Sequence, residues 1–275
     1  MRLHGACLVA LLLVASSVDA QSLKRAPSKG GTVGDLVRQF RKADGNERKK
    51  VVNLDSVNSN YIFAAAGNVQ GSGGTFFRSD VTIYNHRSSQ QDIAVAWLAQ
   101  GVDNTQAPLD YFTLDPDRPI IARDFVFTEL GKTGLGAVII AGVLSNGDLD
   151  SNAELDGFSR IWTPQPGQAG TVAQAFPSVA FQDSLGSGVA YAQGLRHDAG
   201  FRTNAGIVNL DDIPHTWTVD INSIGGRTSF PITVPPLSMR QMVIPQGNWS
   251  DLILGFQTSG TGFWWSAYGA TVDNS

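Results

Sequence analysis

Cysteine is all but missing: the single one, Cys7, sits in the first apolar stretch of the chain. Beyond it there is no thiol nucleophile, no disulfide to staple the fold and no sulfur ligand for a zinc site. Histidine is nearly as scarce. Past His4 only His86, His197 and His215 remain, and none has the His-Glu-x-x-His spacing that puts two metal ligands on one helical face. No Gly-x-Ser-x-Gly elbow and no phosphate-cradling glycine loop occurs. Together these absences turn the reading away from catalysis and toward binding or structure. A dominant charge is lacking too: 20 basic and 24 acidic side chains leave a formal net charge of −4. A balance that weak steers the chain toward neither nucleic acid nor an anionic membrane. After the N-terminal stretch no run approaches the ~18 consecutive apolar residues of a membrane-spanning helix.

What is present begins with an address. Arg2 precedes an apolar run at 6–16, and Val18-Asp19-Ala20 offers small residues at the −3 and −1 positions of a cleavage site before Gln21. This predicts a signal peptide over 1–20 and a protein exported to the periplasm, the cell surface or the medium. Residues 21–57 form a basic leader carrying Lys24, Arg25, Lys29, Arg38, Arg41, Lys42, Arg48, Lys49 and Lys50. Val33, Leu36, Val37 and Phe40 fall at i, i+3, i+4 and i+7, one helical stripe. The leader reads as a tether with a short amphipathic helix docked on the body, the alternative being a basic anchor for an acidic surface.

From residue 61 the period changes to two, and a long-range repeat emerges. Phe77-Arg78-Ser79-Asp80 returns as Phe201-Arg202-Thr203-Asn204, and an Asn follows each tetrad five residues on, at Asn85 and Asn209. In the first copy Phe77, Ser79, Val81 and Ile83 face one way, and Arg78, Asp80, Thr82 and Tyr84 the other. Further segments correspond: 111–116 with 230–236, 137–143 with 252–256, and 158–162 with 263–268. Each copy is six or seven short strands separated by Gly, Pro, Asn and Asp. The predicted fold is all-β: two tandem immunoglobulin-like antiparallel β-sandwiches, over 58–165 and 171–275, joined where Pro, Gln and Gly cluster at 164–170.

Three groups of residues could carry chemistry. Arg78 with Asp80, and Arg202 with Asn204, share strand faces and could grip a ligand through the guanidinium. They could equally lock a sheet edge, with Asn85 and Asn209 bonding turn backbone, and recurrence favours this scaffold reading. Asp148, Asp150, Asn152, Glu154 and Asp156 set oxygen side chains at every second position, a spacing a Ca²⁺ loop could fold around one cation. Ala153 replaces the turn glycine of such loops and Ser159 the closing glutamate, so an exposed acidic loop binding nothing is the competing expectation. Trp264 and Trp265 are adjacent, so a strand must point them to opposite faces. One could stack on a sugar, or core and neighbouring domain could cover both. Asn248-Trp249-Ser250 is a glycosylation sequon.

With those residues in view, the chain resembles a group of secreted bacterial proteins built from tandem β-sandwich modules. The likeness rests on Arg78-Ser79-Asp80…Asn85 and Arg202-Thr203-Asn204…Asn209. It also rests on Ser159-Arg160-Ile161-Trp162, then Gly170-Thr171-Val172-Ala173-Gln174 leading to Phe176-Pro177. It runs from about residue 61 to the end and implies a surface or accessory role. The expected function is therefore non-enzymatic binding, adhesion or spacing at the cell surface or periplasm, toward a surface polysaccharide or an envelope protein. Two rival classes stand beside it. One is a carbohydrate-active hydrolase with paired carboxylates drawn from Asp80, Asp103, Asp110 or Asp183. The other is a calcium-stabilised adhesin module.

Overall fold

Short runs with period two, broken every few residues by Gly, Pro, Asn or Asp, fold as antiparallel ladders in the computed structural model. It describes residues 23–47, 59–165, 167, 169–184, 186 and 188–273; the predicted signal peptide lies outside the described residues. The leader supplies strand β1 (Lys24–Arg25) and helix α1 (Val33–Glu47). β2 (Asn60–Gln70), β3 (Phe76–Asn85), β4 (Gln91–Ala99), β5 (Asp110–Leu114) and β6 (Arg118–Ala122) follow. Then come the one-turn helix α2 (Phe125–Thr128), β7 (Gly134–Val143), β8 (Leu155–Pro164), β9 (Thr171–Pro177) and β10 (Val179–Ala180). The second half holds β11 (Val189–His197), β12 (Phe201–Asn209), β13 (His215–Ser223), β14 (Gly226–Val234), β15 (Ser238–Val243), β16 (Trp249–Gln257) and β17 (Trp265–Asp273).

The pairings of the two halves match strand for strand. In the second half β14, β13, β16 and β11 form one sheet, and β15, β12 and β17 the other. In the first, β5, β4, β7 and β2 lie in the same order, and β3 lies between β6 and β8. A short β2–β3 hairpin joins these two parts into one sheet, which β9 extends beyond β8. The two Arg-bearing strands, β3 and β12, thus take equivalent central places. Registers correct two of the expected correspondences. Asn85 faces Leu155 where Asn209 faces Trp265, so Phe158 matches Tyr268 rather than Phe263. Leu114 lies opposite Gln91 and Val234 opposite His215, so Tyr111 matches Pro231 and not Phe230.

The boundary also falls later than composition suggested. Residues 164–170 turn a hairpin between β8 and β9, and β10 returns to pair with β2. The chain leaves the first sheet only beyond residue 180.

Two apolar cores lie between the faced sheets. Phe63, Val81, Ile93, Phe112 and Val138 fill the first; Ile207, Trp217, Val219, Leu254 and Trp265 fill the second. A third core joins the halves. The outer face of β2, β4 and β7 (Ile62, Ala96, Leu98, Ile139) meets the outer face of β12, β15 and β17 (Val208, Met239, Tyr268, Ala270). Helix α1 lays Val33, Leu36, Val37 and Phe40 into this same core, and the Phe40 ring stands 4.4 Å from that of Phe181. The helical stripe is therefore fully used, and the helix is docked on the body as its pattern predicts. Strand β1 pairs with β5, and Lys29, only 9 % exposed at its side chain, meets Asp92 at 2.8 Å. Arg41 reaches across to Asp211 and Asp212 in the second half. Around this core Asn104 donates to the carbonyls of Ala99, Val102 and Leu237, tying the β4–β5 loop to the start of β15. Among the described residues no helix is long and apolar enough to cross a membrane.

Candidate functional site

The repeated motif divides into a half that recurs with its bonds and a half that does not. Asn85 and Asn209 are both fully buried. Asn85 Nδ2 donates to the Ser89 and Asp115 carbonyls at 2.9 and 3.3 Å, and Oδ1 accepts from Arg87 N–H at 3.1 Å. Asn209 Nδ2 donates to Ile213, Pro235 and Val234 at 2.8, 2.9 and 3.3 Å, and Oδ1 accepts from Asp211 N–H at 3.0 Å. Each Asn thus closes its own strand turn and clips it to the β5–β6 or β14–β15 turn. Those turns share a left-handed residue, Asp117 at φ 48° and Leu237 at φ 42°. The N–H of each bonds back to Arg87 or Asp211. The Asn is scaffold.

The Arg half diverges. On β3 the alternation holds: Ser79, Val81 and Ile83 are inside, while Arg78, Thr82 and Tyr84 lie toward the outer face with Asp80 beneath a cover of side chains. Register sets Arg160 opposite Asp80 and Trp162 opposite Arg78. In the second half the same seats hold Ala270 opposite Asn204 and Val272 opposite Arg202. Tyr268 also lies flat across Gly206 there, where a Cβ would sit 2.1 Å from the ring. Val208, Tyr268 and Ala270 then bury that face against the first half. One outer face is closed, and its counterpart is open and charged.

On the open face the buried Asp80 carboxylate lies 3.6 Å from Arg123 and 3.8 Å from Arg160, and it accepts the Asp124 N–H at 3.1 Å. Asp124, in a left-handed conformation before α2, is 3.4 Å from Arg78 Nε and accepts from Asn68 Nδ2 at 2.9 Å. The Arg78 guanidinium stands 4.9 Å from the Phe76 ring and 5.9 Å from Trp162, and that of Arg160 is 5.8 Å from Trp162. Such spacings are cation–π contacts that hold the guanidinium planes without using up their N–H donors. Farther along β8, Phe158 is 44 % exposed on the same face. Three guanidiniums against two carboxylates leave one positive charge in excess at this end of the face.

The other expected residues sit elsewhere. Trp265 is fully buried in the second core and Trp264 packs half-buried with its edge on Phe181, so these two present no open stacking platform. The acidic residues 148–156 do not converge. Asp150 turns inward onto Arg87 at 2.9 Å, Ala153 is part of the first core, and Asp156 accepts from Gly157 N–H and Ser178 Oγ. Among the described residues no group of three or more His, Cys, Asp or Glu comes together. Of the four carboxylates weighed for hydrolysis, three are engaged, each in a different place. Asp80 lies in the arginine cluster, Asp103 caps Thr105, Asp110 pairs with Arg25, and Asp183 is exposed.

Two of the histidines are built into the packing of the second half. His197 is buried, and its Nδ1 accepts the Thr203 N–H at 3.0 Å; burial holds its pKa below the ordinary value, against the pull of Asp198. His215 stacks on Phe263 at 3.6 Å and meets Asp211 at 2.7 Å. Burial works against the Asp211 carboxylate, yet His215 and Arg41 keep its pKa below the usual range.

Reading the sequence alone singled out Arg78 and Asp80, noted Phe158, Arg160 and Trp162 only for the repeat and the resemblance, and missed Arg123 and Asp124. The available signal was the alternation Phe158, Arg160, Trp162, which places all three on one strand face. No protein-family model matches the chain, and a search of curated proteins finds no relative.

Proposed function

We propose that this is an exported, non-enzymatic protein of two tandem immunoglobulin-like sandwiches, acting as a binding or adhesion accessory at the cell surface or in the periplasm. Its contact with a surface polysaccharide or envelope component is made through the outer face of β3 and β8 in the first module. The observation that carries this reading is the asymmetry between the copies. A scaffold device recurs with its fold, as the Asn clip does, whereas Arg160, Trp162, Arg123 and Asp124 serve no bond that the second copy needs. The signal-like N-terminus supports export. A rigid strand face dressed with guanidiniums and aromatics suits recognition, which needs no reactive group.

The test is capture of ligand from the organism's own envelope and from a glycan panel, comparing the parent with Trp162→Ala and Arg160→Ala. Capture that both variants lose supports the face as the contact. Capture that neither loses, or no capture at all, overturns it.

A further inference from the structure

Building on that reading of the face, we infer that its ligand is an acidic polysaccharide, with sugar carboxylates held by Arg78, Arg123 and Arg160. Charge complementarity is the first ground. The ion pairs that hold these guanidiniums run from 3.4 to 3.8 Å, longer than paired salt-bridge hydrogen bonds. Arg160 also donates to Thr171, yet five N–H groups per guanidinium leave donors for an incoming carboxylate. Asp80 and Asp124 keep the three cations from repelling one another apart, and the residual charge stays positive.

Geometry is the second ground. Arg123 is 60 % exposed at its side chain and stands at the rim, where an anion meets it first. Phe158 lies four residues from Trp162 along one strand, ~13 Å at the usual rise. Its bare ring can take the apolar face of one sugar while the arginines hold the carboxylate of another. A guanidinium binds a carboxylate through two parallel N–H bonds, which a neutral hydroxyl cannot match. The face should therefore distinguish a uronic acid from its ester.

Calorimetry of the parent protein with polygalacturonate, and with the same polymer fully methyl-esterified, tests this directly. The expected result is binding to the free acid, weakened about tenfold or more by esterification or by Arg123→Ala. Added salt should weaken it further, because screened charges attract less. Arg123 is exposed and Asp80 keeps Arg160 and the Asp124 N–H, so the loss of Arg123 should shift the melting temperature by no more than a few degrees, which separates binding from folding. Equal affinity for acid and ester, with both lost in Phe158→Ala, overturns the inference and leaves the binding face standing. Binding unchanged in both Arg123→Ala and Arg160→Ala overturns the inference as well. No binding to any glycan or envelope fraction sinks the face itself.

Discussion

Asn209→Asp exchanges one amide nitrogen for one oxygen, and the structure makes that exchange severe. The Nδ2 it removes donates to three carbonyls at 2.8, 2.9 and 3.3 Å, in a side chain with no exposure. A carboxylate there would face three acceptors, so its pKa must rise above the ~3.9 of a free aspartate. A group with a raised folded pKa keeps its stability contribution below the unfolded pKa and loses it as pH climbs through the folded one. At about 1.4 kcal/mol per unit, a rise of about three units adds about 4 kcal/mol at pH 8 to the ~1 kcal/mol for the missing donor, about 5 kcal/mol in all, while at pH 4 the penalty falls to about 1.5 kcal/mol. Asn209→Ala, which loses about three effective bonds at ~1 kcal/mol each, should cost about 3 kcal/mol at both pH values. Urea denaturation monitored by tryptophan fluorescence reads this directly, since Trp217 and Trp265 lie in the affected core. Asn209→Ala within about 0.5 kcal/mol of the parent, or an Asn209→Asp penalty equal at the two pH values, would refute the clip.

Three further perturbations follow from the packing. Phe40→Ala empties a buried site against Phe181 in the core between the halves and should cost about 3 kcal/mol, read as a lowered urea midpoint; a neutral result would mean that α1 is only loosely held. Gly206→Ala drives a methyl group into the Tyr268 ring and should cost about 1–3 kcal/mol while breaking the Tyr268–Gln241 hydrogen bond, visible as a shifted tyrosine resonance. His197 titrates below its ordinary value of 6.5, so the unfolded chain takes up a proton first and stability should fall as pH drops below about 6.5; His197→Asn, which keeps an acceptor for Thr203, should flatten that part of the profile.

Much of the architecture was legible because strand alternation is local. The parity of β3 told inside from outside correctly, and the same parity separated Trp264 from Trp265, which lie on opposite sides of β17's start. The helical stripe of α1 was equally plain, although nothing local said that both halves would cover it. The candidate site was only half legible. Arg78 and Asp80 stand out in the repeat, but their partners Arg160 and Trp162 lie about eighty residues away, and only register brings them opposite. The acidic stretch depends on tertiary context in the same way. Alternating oxygens can converge on a cation only if the backbone curls around it, and here Asp156 already belongs to a strand while Asp150 is turned onto Arg87.

The way the two halves stack gives the molecule a direction. A sheet of one kind from the first copy lies on a sheet of the other kind from the second, so the contact is head to tail and leaves unlike surfaces at the two ends. At one end is the arginine–aromatic face; at the other is a polar sheet where Thr216 meets Thr233, Asp220 meets Gln257, and Tyr191 is 64 % exposed. The polar sheet thus differs in kind from the alanine- and isoleucine-lined face that packs at the junction of the halves. Because the two outer faces differ, turning the molecule end for end would present a different chemistry to whatever it meets.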